Sequence, residues 1–276
     1  MTVWTCATCA IEHPDTAEPP AVCAICADER QWVPEGGQRW TTRDELAAEG
    51  YRITVSELEP GLHAVETDHR LGIGQRGLLV RTDAGNLLWE PPGFIDDAGR
   101  EAVAALGGVA AVASSHPHLT GSSIQWAHAF GAPATVWVAA ADAHWVRRPD
   151  PAIRLWSDDF EPVPGVRLVR CGGHFPGSAV AHWAAGAHGR GVLLTGDTVT
   201  IGADRASVGI MRSYPNFIPM PARVTRRVRD TLLQLEFDRL YSLFHSIPTD
   251  ARGIVDRSLT RAALWAEDDP ATTMDT

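Results

Sequence analysis

The chain has 276 residues, 45% of them hydrophobic and 21% charged, which is enough length and apolar content to bury one large core or two modest ones. Its formal net charge is -10 and all 24 basic residues are Arg. An acidic chain without a basic run is a poor ligand for polyanions, which excludes nucleic acid and anionic membrane surfaces as expected partners.

No basic region followed by an apolar stretch opens the chain, and no run of about eighteen apolar residues occurs later, so a soluble cytoplasmic protein is expected. Residues 1–40 are rich in Cys, Pro, Glu and Ala and show no sustained helical or strand period. Four of the five cysteines lie here as two C-x-x-C pairs, Cys6 and Cys9 in "CATC" and Cys23 and Cys26 in "CAIC", with thirteen residues between the pairs. In a segment with so little apolar material, that pattern points to a structural zinc site of four cysteines, with a rubredoxin-like iron site as the alternative. The expected domains are therefore a four-cysteine zinc-ribbon-like segment, 1–40, and a larger unit, 41–276.

"TTRDEL" reads as a short helix capped by Thr41 or Thr42. Strand-like runs follow in "LHAVE", "GLLVRT" and "NLLWE", with "DAG" at Asp83–Gly85 as the turn between the second and third. The pattern then alternates: "REAVAALG" helix, "VAAVASS" strand, "SSIQWAHAFG" helix, "ATVWVAA" strand and "ADAHWVRR" helix. A second group of strands, "IRLWS", "VRLVRC", "SAVAHWAA" and "GVLLTG", precedes a helix near "ARVTRRVRDTLLQLEF", a strand "RLYSLF" and a last helix over about 250–267. Two sets of strands with interspersed helices imply two sheets covered by helices.

Four pieces fall at strand ends in this reading: "SSHPHLTG", "CGGHFPGS", "LLTGDTV" and "YSLFHS". Their order and spacing resemble the metallo-β-lactamase fold superfamily, whose members carry H-x-H-x-D-H after a strand, a G-H-x-P-G-S turn, a T-G-D turn and a final histidine. The resemblance covers roughly residues 50–265. It implies an α+β fold of four layers, αββα, and a metallo-hydrolase of the glyoxalase II-like kind. Position by position, His116, His118 and His174 match the ligands of the first metal site and Asp197 the aspartate that bridges two metals. Thr120 and Gly121 stand where the pattern has Asp and His, so the second site looks dismantled, with open space in its place. His245 lies near the last histidine of the pattern, in a different local context. Glu90, in "LLWEPPG", is expected to support the site by accepting a proton from a ligating imidazole.

Three imidazoles around one zinc leave a fourth position for water and suit hydrolysis of an ester, thioester, lactone or similar carbonyl, with Asp197 orienting the water. His116, His174 and Asp197 also make a two-histidine, one-carboxylate set that suits iron, as in the similar persulfide dioxygenases. A third alternative is a protein of this fold that binds a ligand or partner without turnover. The expected cofactors are thus one structural zinc and one catalytic zinc or iron, and the expected partner is a small-molecule substrate. Cys171 reads as a buried residue ending a strand, Tyr214 or Asn216 as a candidate pocket wall, and most of the ten Trp, among them Trp89, Trp126, Trp137 and Trp183, as core.

Overall fold

The computed structural model describes residues 2–131 and 134–267; the outer limits of both expected domains, 1 and 268–276, lie outside them. Three short strands open the chain: β1 (Thr2–Cys6), β2 (Glu12–Thr16) and β3 (Trp40–Thr42), paired antiparallel in the order β2-β1-β3. These strands were not legible as a pattern. Each has at most five residues, and Pro14 breaks the donor pattern of β2, which is tolerated because β2 is an edge strand. β3 crosses the expected boundary at residues 40 and 41 and runs directly into α1 (Arg43–Ala48). Thr42 and Glu45 cap that helix reciprocally, each side chain accepting from the other's backbone N–H.

The first large sheet contains β4 (Ile53–Glu59), β5 (Leu62–Thr67), β6 (Gly77–Val80) and β7 (Leu87–Trp89), an antiparallel meander. After α2 (Asp97–Ala105) come β8 (Ala111–Ala113), α3 (Ser123–His128), β9 (Thr135–Ala139) and β10 (Ile153–Trp156), whose strands pair in parallel with β7 and one another. "ADAHWVRR" forms a 3-10 turn over Ala140–Trp145 instead of an α-helix.

The second sheet holds β11 (Phe160–Val163), β12 (Val166–Arg170) and β13 (Ala179–Trp183), then, after the one-turn α4 (Gly186–Gly189), β14 (Val192–Leu194). Two ribbons follow, β15 (Thr200–Ile201) with β16 (Val208–Gly209) and β17 (Met211–Ser213) with β18 (Ile218–Pro219). α5 (Ala222–Leu232) leads to β19 (Arg239–Tyr241) and β20 (Ser246–Ile247), which complete the second sheet, and α6 (Ala251–Trp265) closes the chain.

Strict alternation builds the layers. Leu78, Val80, Leu87, Trp89, Ala111 and Ala113 of the first sheet meet Leu168, Ala179, Ala181, Val192 and Leu194 of the second in one buried cluster. The intervening residues face outward: Leu79, Leu88 and Val112 pack under Leu46, Val103 and Trp126, while Val169, Val180 and Leu193 pack under Val228, Leu232 and Leu259. The result is the expected αββα sandwich. Among the described residues, no helix is long and apolar enough to cross a membrane.

Candidate metal centre

Three strand ends converge. β8 ends beside β7, with Ala113 opposite Trp89, and releases His116 and His118 into a short 3-10 turn. β12 and β13 pair through Arg170 and Ala179, so the turn between them lifts His174 to the same edge. β14 ends at Leu194 and delivers Asp197 two residues after Thr195, whose hydroxyl donates to the Val199 carbonyl and ties the turn shut. Donor atoms of His116, His174 and Asp197 all lie within 4.8 Å of one another; His118, expected as a third imidazole ligand, is not in that group.

The histidines are buried, at 4%, 5% and 2% exposure for His116, His118 and His174. Their Nε2 atoms are buried without any hydrogen-bond partner. His174 donates its Nδ1 proton to the Met211 carbonyl at 3.0 Å, which directs the Nε2 lone pair inward. His116 Nδ1 meets the Ser115 hydroxyl at 2.9 Å. Burial, with His174 and His118 nearby, holds His116 well below its ordinary value. Burial likewise lowers His118 to about 3 and His174 to about 4. All three are therefore neutral imidazoles, the form that ligates a metal. Burial pushes Asp197 up to about 7, a shift that a cation beside it would reverse. Three buried imidazole nitrogens without partners, two of them grouped with a carboxylate, are a costly arrangement for a protein alone and a fitting one for a cation.

A second candidate group lies in the N-terminal segment, where the sulfurs of Cys6, Cys9, Cys23 and Cys26 fall within 4.8 Å of one another and none is in a disulfide. The Sγ separations are 3.5 Å for Cys6 and Cys26 and 3.7 Å for Cys9 and Cys23. Tetrahedral bonds of about 2.3 Å place sulfurs roughly 3.8 Å apart, so these spacings fit one four-coordinate ion. His13 Nε2 stands 3.6 Å from Cys23 Sγ, its ring edge-on to Trp40. No spacing rule singles out His13.

The segment does not hang free. Glu12 sends its buried carboxylate to the backbone N–H of Ile124 at the start of α3 and to Arg148. The turn after Cys26 enters the histidine centre: Asp28 is gripped by Arg30 through Nε–Oδ1 at 2.6 Å and Nη2–Oδ2 at 2.7 Å. Arg30 lies 3.5 Å over the Phe175 ring and donates to the His174 carbonyl at 3.1 Å. Burial opposes ionisation of Asp28, and the Arg30 guanidinium outweighs it, so the carboxyl sits at about 2. Sequence reasoning missed Asp28 and Arg30, because what places them is the docking of one unit on the other.

The centre opens to a cleft of about 310 Å³ walled by His118, Asp197, Tyr214, Arg30, Trp32 and Phe244 among others. Tyr214 packs 5.4 Å from His174 and donates its hydroxyl to the Asp197 carbonyl at 3.0 Å. Asn216 instead donates to the Glu29 carbonyl, bracing the four-cysteine segment. Cys171 is buried, and that burial pushes its thiol up to about 12, so it is no nucleophile.

No protein-family model matches the chain. The uncharacterized protein YmaE of Bacillus subtilis (strain 168) is 38% identical over 266 residues, 96% of this chain and 95% of that protein. The chain belongs to the YmaE family, on the metallo-β-lactamase fold. A metallo-β-lactamase of Cronobacter sakazakii, a HARLDQ-motif mutant, superposes with a TM-score of 0.52 at 16% identity over 80% of this chain and 98% of that one. VMB-1 gives 0.57 at 12% identity over 78% and 98%. A B3 metallo-β-lactamase with an active-site glutamic acid gives 0.54 at 14% over 87% and 96%.

Set against the metallo-β-lactamase pattern, the departures have physical causes. A Cβ at Gly121 would meet the Pro91 carbonyl oxygen at 2.0 Å, and its φ is +49°, so no histidine fits there. Backbone fills the position a Gly121 side chain would take, while a small cavity of about 50 Å³ lies beside His116, Thr120 and Gly121 and the larger cleft lies beside His118 and Asp197. Thr120 turns its hydroxyl onto the Pro117 carbonyl at 3.2 Å. His245 is not among the clustered donors; it sits in the turn between β19 and β20, where its carbonyl accepts from Ser242 and Arg76. Glu90 does not take an imidazole proton. Its Oε1 accepts the Ser115 backbone N–H at 3.1 Å, and it is Ser115 that meets His116. Burial, with the Asp197 charge adding to it against the pull of Ser115, lifts Glu90 to about 8.

Proposed function

We propose that the chain is a metal-dependent hydrolase with one catalytic ion, acting on an ester, thioester, lactone or similar carbonyl of a small molecule. The observation that carries this is the grouping of His116, His174 and Asp197, whose donor atoms lie within 4.8 Å of one another with both imidazole Nε2 atoms buried and unpartnered, beside an open cleft. His116, His174 and Asp197 would hold the ion, with His118 as a neighbour outside that group. Bound there, zinc supplies a Lewis acid that polarises a carbonyl oxygen and makes water a nucleophile near neutral pH. The chain's own residues do the rest. Asp197, 20% exposed to the cleft, accepts and orients a water proton. Tyr214 fixes the Asp197 backbone, and Phe175 and Trp145 pack edge-on to His118 and keep bulk water from its ring. Trp32 and Phe244 offer apolar walls to a substrate, with Arg70 stacked on Trp32 as the nearby cation. The four-cysteine group would hold a structural zinc, consistent with a reducing, cytoplasmic location.

A second reading, an iron-dependent oxidoreductase, is favoured by the mutual proximity of His116, His174 and Asp197, two histidines and one carboxylate. Metal analysis of protein purified without added metal, joined to a panel of thioester, lactone and ester substrates and to oxygen-uptake measurements, separates the two. Two zinc per chain, falling to one in His116→Ala or His174→Ala, with hydrolysis lost in parallel, is the expected result. One zinc and one iron with oxygen uptake favours the second reading. If metal is found only at the cysteines, and added Zn²⁺ or Fe²⁺ restores no second equivalent, both enzymatic readings fail and a ligand-binding role remains.

A further inference from the structure

Residues 28–30 follow the second cysteine pair directly, in a turn closed by the Ala27 N–H on the Cys23 carbonyl and the Asp28 N–H on the Ile25 carbonyl. They reach the histidine centre along two routes. Arg30, with 6% of its side chain exposed, commits every arm of its fork: Nε and Nη2 to the Asp28 carboxylate at 2.6 and 2.7 Å, and Nη1 to the His174 carbonyl at 3.1 Å. Its guanidinium carbon lies 3.5 Å from the centroid of the fully buried Phe175 ring. That ring packs at 5.1, 4.8 and 5.1 Å against the rings of His116, His118 and His174. Arg30 thus holds both the backbone of His174 and the ring wedged among the imidazoles. The second route is Glu29, whose carbonyl accepts from Ser213 Oγ and Asn216 Nδ2 at 2.7 Å each and whose carboxylate pairs with Arg212 at 3.1 Å. These residues belong to β17 and the turn after it, and Met211 of β17 supplies the carbonyl that holds His174 Nδ1.

We propose that Arg30 is a positioning residue for the histidine centre and that, through it, metal at the four cysteines regulates metal affinity at His116, His174 and Asp197. This rests on the metal-centre reading above. Asp28 neutralises and orients the guanidinium, so no unpaired cation stands beside an ion site, and the charge-assisted fork fixes the direction of Nη1. A lysine ammonium has no planar fork to divide between carboxylate, carbonyl and ring. Two states define the coupling. With the cysteines loaded, the knuckle is folded and residues 28–30 are held. With them empty, the segment loses the binding energy that folds it, and the contacts of Arg30 and Glu29 on the His174 turn and β17 go with it. Linkage is reciprocal, so filling the histidine centre tightens the cysteine group by the same factor. The Glu12 pair with Arg148 docks the same segment without touching His174, which makes it an internal control.

The test is cobalt titration of the full metal-free chain. Thiolate-to-cobalt charge-transfer absorption reports the four-cysteine group. Ligand-field bands, chelator competition and the hyperfine-shifted ring N–H of His174 report the histidine centre. Arg30→Gln is expected to weaken the histidine centre about 10–100-fold, the loss typical of an outer partner, and to shift the His174 N–H signal with the thiolate bands intact. Arg30→Lys keeps the charge beside Asp28 and loses the fork; it should fall in the same range and serves where Arg30→Gln disturbs the knuckle. Cys6→Ser should weaken the histidine centre to a similar degree, and adding Arg30→Gln to it should cost little more, since both cut one connection. Arg148→Gln should leave the affinity and bands of the centre at parental values. An unchanged centre in both Arg30 variants, an equal loss in Arg148→Gln, or full additivity of Arg30→Gln with Cys6→Ser each overturns the proposal and leaves the metal-centre reading intact. A parent that takes up cobalt only at the thiolates overturns both.

Discussion

Gly121→Ala is the substitution that tests why the second-site position is closed. The new Cβ would meet the Pro91 carbonyl oxygen at 2.0 Å with its carbon at 3.0 Å, a backbone neighbour that cannot swing aside like a side chain. The backbone there has φ +49°, the left-handed region, where an L side chain costs roughly 1–2 kcal/mol. Forcing a methyl group into a filled site adds about 1–3 kcal/mol. The two together amount to roughly 2–5 kcal/mol, and at about 2–4 °C per kcal/mol for a large domain they lower Tm by about 4–20 °C. The shift would be read by thermal melting with the metal content of parent and variant matched. Thr120→Asp with Gly121→His, which writes the missing pair back into the turn, should melt lower still and gain no additional metal. A Gly121→Ala protein that melts with the parent, or a double variant that binds an extra ion at unchanged stability, would refute the argument that backbone occupies the position.

Cys6→Ser or Cys23→Ser should each lose one equivalent of metal and make residues 2–42 the first site of limited proteolysis, because the folding energy of that segment is largely its metal-binding energy; unchanged metal content would remove the claim of a cysteine-bound ion. Ser115→Ala, which strips the hydroxyl from His116 Nδ1, should weaken the histidine centre about 10–100-fold in a chelator competition while leaving the fold intact. Asp238 accepts from the Asp250 N–H at the start of α6, from Arg190 and from Thr249, and the first of these leads in holding its carboxyl below the ordinary 3.8. A depressed carboxyl stabilises the fold above its unfolded pKa and loses that contribution as pH falls through the folded value. The Tm gap between the parent and Asp238→Asn should therefore be full at pH 7 and shrink below about pH 4; a gap that stays constant on acidification would show that the charge is not what matters.

The sandwich was legible because each central strand declares both of its faces. In "LLV", "LLW" and "AVA", alternate residues enter the inter-sheet core and the outer layer, so short continuous apolar runs bounded by turn residues, too short for helices, read as strands buried on both sides. The histidines and Asp197 were legible because each follows a strand within a few residues: β8 for His116 and His118, β12 for His174 and β14 for Asp197. His245 shows where that logic stops: the run "RLYSLF" breaks after Tyr241, Leu243 and Phe244 form a tight reversal, and the histidine is carried away from the edge where its neighbours converge. The proline-interrupted strands of residues 2–42 fall below the length at which periodicity speaks. Asp28 and Arg30 depend on a docking between units that no local pattern encodes.

That docking also explains what the turn at residues 120–122 does in place of ligation. The Gly121 carbonyl accepts the Glu12 N–H, the Ser122 N–H donates to the Pro92 carbonyl, and the Trp126 indole donates to the same Pro92 oxygen. Glu12 meanwhile reaches the first turn of α3, where exposed backbone donors favour a carboxylate, and pairs with Arg148. The residues that would carry an aspartate and a histidine in the metallo-β-lactamase pattern are here the seat of the four-cysteine segment. Side chains large enough to ligate from Gly121 would displace Pro91, whose neighbour Glu90 holds the Ser115 N–H and through it His116. A second metal site built into this turn would therefore disturb the first. The segment seated on the turn also carries Asp28 to within 3.9 Å of His118 Nε2, so the contact that closes the turn also packs the cysteine knuckle against the histidines.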